Sequence, residues 1–343
     1  MSLISKNLIN WHNKFGRKDL PWQIKTNPYK VWISEVMLQQ TQVQTVIPYY
    51  LKFINKYPDI NSLANSNENE VLSYWSGLGY YSRGRNLLKT AKIVRDQFDS
   101  NMPSCPKKLE SLPGIGKSTA GAILSLGFKI KAPILDGNAK RVLVRYFKIE
   151  DPIDLAKTTK ELWNIAEESL PEKECNIYTQ AIMDVGSLIC KRRNPDCLSC
   201  PLVKRCISYK EKVQDLLPRK LPKKPKPTKD LYWLLLENKD GEVLLENRNS
   251  KGVWQGLWTF VGFEEFQSRE DYLSKLPKGY ELIEKGLKLK HTFSHYKLEI
   301  DTTLIKINED FQDFDNNKMW FNRKELSDIG LPAPVSKVLN QSI

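Results

Sequence analysis

The chain has 343 residues, 41% of them apolar, which is enough for two or three domains with sizeable cores. Its 53 Lys and Arg against 40 Asp and Glu leave a net charge of +13, pointing to a polyanionic partner, most economically nucleic acid. The longest apolar run, Leu231–Leu236, is too short to span a membrane, and Met1–Phe15 lacks the apolar core of a secretory signal, so a cytoplasmic protein is expected.

Residues 1–210 read as helices joined by short loops. Amphipathic segments recur at Ser5–Phe15, Thr45–Lys56, Glu68–Trp75, Arg85–Phe98, Ser118–Leu126, Ala139–Tyr146 and Thr158–Ser169. The stretch Val31–Thr41 is the most informative. Asn27 and Pro28 open it as cap and first helical residue, and its apolar residues surround the axis, predicting a buried helix. Glu35, Gln39 and Gln42 share one narrow sector of that helix. Desolvation would raise the pKa of Glu35 and keep a proton available near neutrality, as a general acid requires. A rim glutamate on an ordinary core helix is the plainer reading, and this stretch alone leaves both open. The chain has only three histidines, His12, His291 and His295, so acid–base work is expected of carboxylates.

Further along, the Gly77–Gly79 turn presents Tyr80 and Tyr81, rings suited either to a core or to insertion into a base stack. In Leu112–Ala120, LPGIGKSTA, Gly114 and Gly116 allow a tight hairpin leading into a helix. Such a hairpin presents amides to a phosphate, and Lys117 adds a positive charge. Asp136, between the run Pro133–Leu135 and Gly137, reads by default as the cap of a basic helix carrying Lys140, Arg141 and Arg145.

Cys190, Cys197, Cys200 and Cys206 are spaced C-x6-C-x2-C-x5-C. Thiolate-only ligation suits zinc or an iron–sulfur cluster, and the compact asymmetric spacing with a single close pair favours a [4Fe-4S] cluster. Lys191, Arg192 and Arg193 lie between the first two ligands as phosphate-contacting candidates, while Cys105 and Cys175 read as free thiols. Residues 217–229, LPRKLPKKPKPTK, form a Pro/Lys linker. Beyond it, Leu231–Glu237, Glu242–Glu246, Lys288–His295 and Lys297–Ile307 read as strands, with short helices near Arg269–Leu276 and Val335–Leu339.

Glu35 in SEVMLQQTQV, the hairpin LPGIGKSTAGAILSL, Asp136 in ILDGN and the four-cysteine pattern occur in one order that resembles the MutY-type adenine DNA glycosylases. These belong to the helix-hairpin-helix superfamily that includes endonuclease III, and the resemblance covers essentially the whole chain. It implies a multidomain fold: an all-α helix-hairpin-helix glycosylase core with an iron–sulfur loop over residues 1–216, and a C-terminal α+β Nudix-like domain over 230–343. Within the core, it implies a six-helix barrel at about 20–130 and a cluster domain formed by the N-terminal helix with about 131–210.

The resemblance also implies excision of adenine mispaired with 8-oxoguanine or guanine in duplex DNA by a monomeric, cytoplasmic, nucleoid-associated enzyme. Glu35 matches the family's catalytic acid, and Asp136 the carboxylate that stabilises an oxocarbenium-like sugar. Trp22, Gln23, Asn138 and Gln180 match positions lining the adenine pocket. Gln40 and Tyr80 match residues acting at the vacated or opposing position, and Phe293, Ser294 and His295 match the lesion-reading loop. Bifunctional relatives carry a Schiff-base lysine where this hairpin has Ser118, so strand cleavage should be weak, with Lys117 and Lys140 as nearby candidates for adventitious trapping. Gly262–Leu276 lacks the acidic cluster that holds magnesium in a Nudix hydrolase. The alternatives are a lyase-active glycosylase for oxidised pyrimidines, against which Glu35 and Ser118 argue, and a damage-binding protein without catalysis, against which both carboxylates argue.

Overall fold

The computed structural model describes residues 2–222, 224–250, 252–277, 279–307 and 317–341. Its contacts divide the chain into two units, residues 1–65 with 89–223, and residues 66–88 with 224–343. The division does not follow chain order, because residues 66–88 are counted with the C-terminal unit. Lys223 of the Pro/Lys stretch lies outside the described residues.

Fourteen α-helices are present among the described residues: α1 (Leu3–Phe15), α2 (Pro28–Leu38), α3 (Val43–Lys56), α4 (Ile60–Ala64), α5 (Glu68–Trp75), α6 (Ser82–Gln97), α7 (Pro106–Glu110), α8 (Lys117–Ala122), α9 (Gly137–Phe147), α10 (Ala156–Glu168), α11 (Cys175–Asp184), α12 (Ile207–Lys210), α13 (Phe266–Leu273) and α14 (Ala333–Gln341). In the first unit the core joins Leu8 of α1, Leu143 of α9, Leu162 of α10 and Ala181 of α11, all completely buried. Helix α2 begins as the sequence predicts: Asn27 Oδ1 accepts from Lys30 N at 2.8 Å and Pro28 follows it. It stops at Leu38, earlier than expected, so Gln39 is its C-cap and Gln42 the N-cap of α3. The expected polar sector on one helix is therefore split across a turn, in which Gln40 adopts a left-handed φ of 59°.

Two glycines let the backbone around Asp136 close up. A Cβ on Gly121 of α8 would lie 2.0 Å from Pro133 O, and one on Gly186 would lie 2.6 Å from Asn138 Cβ. Gly186 belongs to a five-residue π-helical turn, Val185–Ile189, that extends α11, and a second such turn, Ile123–Gly127, extends α8. Helix α11 itself carried no clear periodic signal in the sequence, because Tyr178, Ala181 and Ile182 are buried together with Thr179, Gln180 and Asp184.

The second unit is built on a seven-stranded sheet: β1 (Thr228–Asn238), β2 (Val243–Asn247), β3 (Trp258–Thr259), β4 (Val261–Phe263), β5 (Glu281–Thr292), β6 (Lys297–Ile307) and β7 (Lys318–Phe321). The order is β3-β2-β1-β6-β5, with β4 also paired to β1 and β7 to β2. Parallel β1 and β6 keep register from Thr228↔Lys297 to Asn238↔Ile307. Central β1 is buried on both faces, as the apolar run Trp233–Leu236 requires. The expected strand Lys288–His295 starts earlier and ends at Thr292. Phe293 N donates to Tyr296 O at 2.9 Å, placing Ser294 and His295 in a turn rather than on alternating strand faces. Residues 66–88 join this unit through Tyr81 Oη and Ser76 Oγ, which donate to Leu331 O at 2.8 and 3.1 Å. No described helix is long and apolar enough to cross a membrane.

The Gly121 contact makes a paired test. Gly121→Ala drives a methyl into a backbone carbonyl and is expected to cost about 2–3 kcal/mol in a urea titration. A Cβ on Gly116 meets nothing within 4 Å at an ordinary φ of −92°, so Gly116→Ala is expected to stay within about 0.5 kcal/mol of wild type.

Candidate active site

The first unit contains a cavity of about 840 Å³ that Glu35 of α2 and Asp136, the N-cap of α9, line together. Asp136 Oδ1 accepts from Ala139 N at 2.8 Å, so its default capping role holds alongside its place in the cavity. Burial pushes the Glu35 carboxyl up to about 8, with repulsion from Asp136 adding to the effect. Burial also raises Asp136, but hydrogen bonds from Ala139 and Asn138 and the charge of Arg141 oppose that rise. The two carboxyls thus have different support: Glu35 retains its proton near neutrality, and the donors around Asp136 favour its anion.

Residues from several elements complete the cavity. Trp22 lines it with its ring edge-on to Tyr50 at 5.4 Å, and Gln39, Gln40 and Gln42 reach it from the α2–α3 turn. Gln39 Nε2 donates to Thr119 Oγ1 at 3.4 Å. Ser118 Oγ accepts from Leu135 N at 3.0 Å, fixing the segment that ends in Asp136. Asn138 Oδ1 accepts from Arg141 Nη2 at 2.8 Å, and Arg141 Nε donates to Cys190 O at 2.6 Å. Gln23 does not line the cavity: its Oε1 accepts from Leu20 N and its Nε2 donates to Arg17 O, each at 3.1 Å.

Gln180 lines the cavity from α11, and it is coupled to two residues that sequence reasoning missed. Gln180 Nε2 donates to Asp184 Oδ1 at 2.9 Å, and Arg17 Nη2 donates to the same oxygen at 2.6 Å. The i, i+4 spacing of Gln180 and Asp184 on a helix was the available signal.

Of the hairpin stretch, Ser118 and Thr119 line the cavity, while Gly114, Gly116 and Lys117 lie outside its lining. Gly114 has a φ of 79°, Gly116 is the N-cap of α8, and Lys117 Nζ stands 4.2 Å above the Trp163 ring. The Cys190, Cys197, Cys200 and Cys206 side chains converge on one small cavity that Arg145 and Tyr209 also line. Buried Arg145 clamps this loop: its Nη1 donates to Cys190 Sγ at 3.3 Å and to Lys191 O at 2.6 Å. Burial pushes the Cys200 thiol up to about 12. Among the described residues no group of three or more Cys, His, Asp or Glu is gathered tightly enough for a single metal ion. Four cysteines lining one space fit a polynuclear thiolate-ligated cluster.

In the second unit a cavity of about 590 Å³ is lined by Tyr80, Phe293, Ser294 and His295, with Trp254 and His291 added by the structure. Tyr80 is 49% exposed on a backbone with φ of 51°, beneath the Arg83 guanidinium, 5.4 Å from its ring. The Trp254 and Phe293 rings meet edge to face at 5.2 Å, and Ser294 Oγ lies 3.2 Å from His295 Nδ1.

Residues 33–168 match the HhH-GPD superfamily of base excision DNA repair proteins, and residues 232–341 match the NUDIX domain family. The chain is 45% identical over 340 residues to an adenine DNA glycosylase of Buchnera aphidicola subsp. Baizongia pistaciae, covering 98% of this chain and 95% of that one. A thermostable thymine-DNA glycosylase aligns with a TM-score of 0.55 at 29% identity, over 61% of this chain and 96% of its own. The non-covalent endonuclease III–DNA complex shares the helical fold at a TM-score of 0.53 and 22% identity, over 61% of this chain and 95% of its own. Fold and site therefore define a helix-hairpin-helix DNA glycosylase, an enzyme of base excision repair, with an added Nudix-like domain. Within that class, the chain belongs to the adenine DNA glycosylase family.

The raised Glu35 pKa has a stability consequence. Its folded value of about 8 lies above the ordinary glutamate value near 4.3, so ionisation destabilises the fold as pH rises between the two. Glu35→Gln removes that cost. The variant should match wild type near pH 4 and exceed it at pH 8, by on the order of 2–3 kcal/mol once solvent reaching the cavity is allowed for, as read from Tm across pH.

Proposed function

We propose that this enzyme hydrolyses the N-glycosidic bond of adenine paired with 8-oxoguanine, or with guanine, in duplex DNA and leaves the strand uncut. The observation that carries the reading is two carboxyls lining one cavity, Asp136 hydrogen-bonded as a helix cap and Glu35 with its pKa pushed by burial up to about 8. Glu35 donates its proton to adenine N7 as the bond between N9 and the sugar breaks and its electron pair leaves with the base. Positive charge develops on the sugar, and the Asp136 anion stabilises it. Water then adds to the sugar carbon and gives up a proton to Glu35, regenerating the acid. The products are free adenine and an abasic site.

Adenine must leave the stack to reach this cavity. Trp22, Asn138 and Gln180 supply its walls, and Gln40 stands at the α2–α3 turn on the cavity's lining. The hairpin residues Gly114, Gly116 and Lys117 are assigned to the DNA backbone. Ser118 carries no amine for a Schiff base, and its hydroxyl is engaged by Leu135 N, which supports a monofunctional enzyme.

Cys190, Cys197, Cys200 and Cys206 would hold one [4Fe-4S] cluster, which when bound fixes the loop carrying Lys191, Arg192 and Arg193 for phosphate contact. Phe293, Ser294, His295 and Tyr80 line one aromatic-rich cavity, which supports assigning lesion reading to the second unit. The enzyme is proposed to act as a cytoplasmic monomer.

Single-turnover assays on duplexes carrying each normal base opposite guanine or 8-oxoguanine test the reading. Adenine alone should be released, faster opposite 8-oxoguanine, and Glu35→Gln should slow release by ~10²–10⁴-fold while still binding the duplex. Release of another base, or wild-type excision by Glu35→Gln, would contradict it.

A further inference from the structure

Asp184 is completely buried, and no step above uses it. Every hydrogen bond to its carboxylate comes from a donor. Oδ1 accepts from Arg17 Nε at 2.9 Å, Arg17 Nη2 at 2.6 Å and Gln180 Nε2 at 2.9 Å, while Oδ2 accepts from Arg17 N at 2.9 Å. His12 Nε2 stands 3.6 Å from Oδ2. Both carboxylate oxygens are thus already engaged as acceptors, three of the four bonds coming from Arg17.

That fixes a choice normally free to a glutamine. The two orientations of a side-chain amide exchange a donor for an acceptor at nearly the same positions. Turning Gln180 around would set Oε1 against the Asp184 carboxylate, two acceptors in a buried site with no proton between them, an arrangement costly in low dielectric. The amide therefore gives its NH₂ to Asp184. Gln180 lines the cavity, and its Oε1 has no hydrogen bond among the described residues. The amide group thus shows an oxygen to whatever occupies the cavity.

We propose that Asp184 is a positioning residue that locks Gln180 as a hydrogen-bond acceptor, so that the cavity selects a purine with an exocyclic amino group over one with a carbonyl at that position. This rests on the base-excision reading of the cavity. An adenine amino group donates to Gln180 Oε1. The hypoxanthine carbonyl would meet that oxygen as a second acceptor, and unsubstituted purine would leave it unpaired. The Arg17 pair contributes by holding the carboxylate in place, anchoring α11 to the segment before Trp22.

The test is single-turnover excision from matched duplexes bearing adenine, hypoxanthine or purine opposite 8-oxoguanine. In Asp184→Asn the new amide can donate to Gln180 Oε1, freeing Gln180 to turn its NH₂ into the cavity. The adenine-to-hypoxanthine rate ratio should then fall about ten- to hundredfold. Asp184→Glu, which keeps an acceptor, should retain the ratio even if slower. A purely structural role would slow all three substrates alike and leave the ratio unchanged in Asp184→Asn, which overturns the inference. Should Asp184→Asn fail to fold by its melting curve, Gln180→Met removes the amide itself: collapse of the ratio supports the inference, and an unchanged ratio overturns it. Wild-type enzyme that leaves adenine untouched would overturn both this inference and the function it rests on, whereas normal adenine excision with unchanged ratios overturns this inference alone.

Discussion

The constraint on which the site depends is the partial withdrawal of Glu35 from water, on the wall of the cavity. A carboxyl on a helix whose neighbours are Val31, Trp32 and Val36, each nearly or fully buried, cannot ionise at its ordinary pH without losing solvation that nothing nearby replaces. Asp136, a second carboxyl in the same cavity, reinforces the effect. Part of what separates their roles is the backbone. Asp136 caps α9 and receives amide hydrogen bonds there, while Glu35 sits in mid-helix, where every neighbouring amide is already used within the helix. One cavity therefore holds two carboxyls with different support, and the helix cap, Asn138 and the Arg141 charge together set the difference.

The remaining parts of the first unit hold that arrangement still. Ser118 fixes Leu135, and the bare backbones of Gly121 and Gly186 let residues 133–138 lie against α8 and the turn after α11. Arg141 ties Asn138 to the carbonyl of Cys190, so the cysteine loop and the base of the cavity share one guanidinium. Arg145, one turn further along α9, clamps the same loop from its other side. A helix that reads in the sequence simply as basic thus spends two of its charges, Arg141 and Arg145, on internal structure.

Much of this was legible from residues, and the failures have physical causes. Local chemistry was readable: Asn27-Pro28 starts α2, Asp136 caps α9, and the four cysteines converge. Features set by tertiary context were not. Helix α2 ends at Leu38 because Gln40 takes a left-handed backbone, which nothing in LQQTQ announces. Asp184 escaped notice because α11 is buried on its polar positions too, so no periodic stripe marked it. Phe293-Ser294-His295 reads as a continuing strand from its composition, yet the chain must turn there to bring β6 back along β5. Trp254 is distant from that turn in sequence and joins it only through the fold, whereas His291 stands at the end of β5, just before the turn.

The proposed role of Glu35 as an acid is tested by the pH dependence of single-turnover adenine excision. Proton donation predicts a rate that falls as pH rises through about 8, the value at which Glu35 loses its proton, with that limb absent from the residual activity of Glu35→Gln. A rate that climbs through the same range, or an unchanged descending limb in Glu35→Gln, would show that the required proton does not come from Glu35.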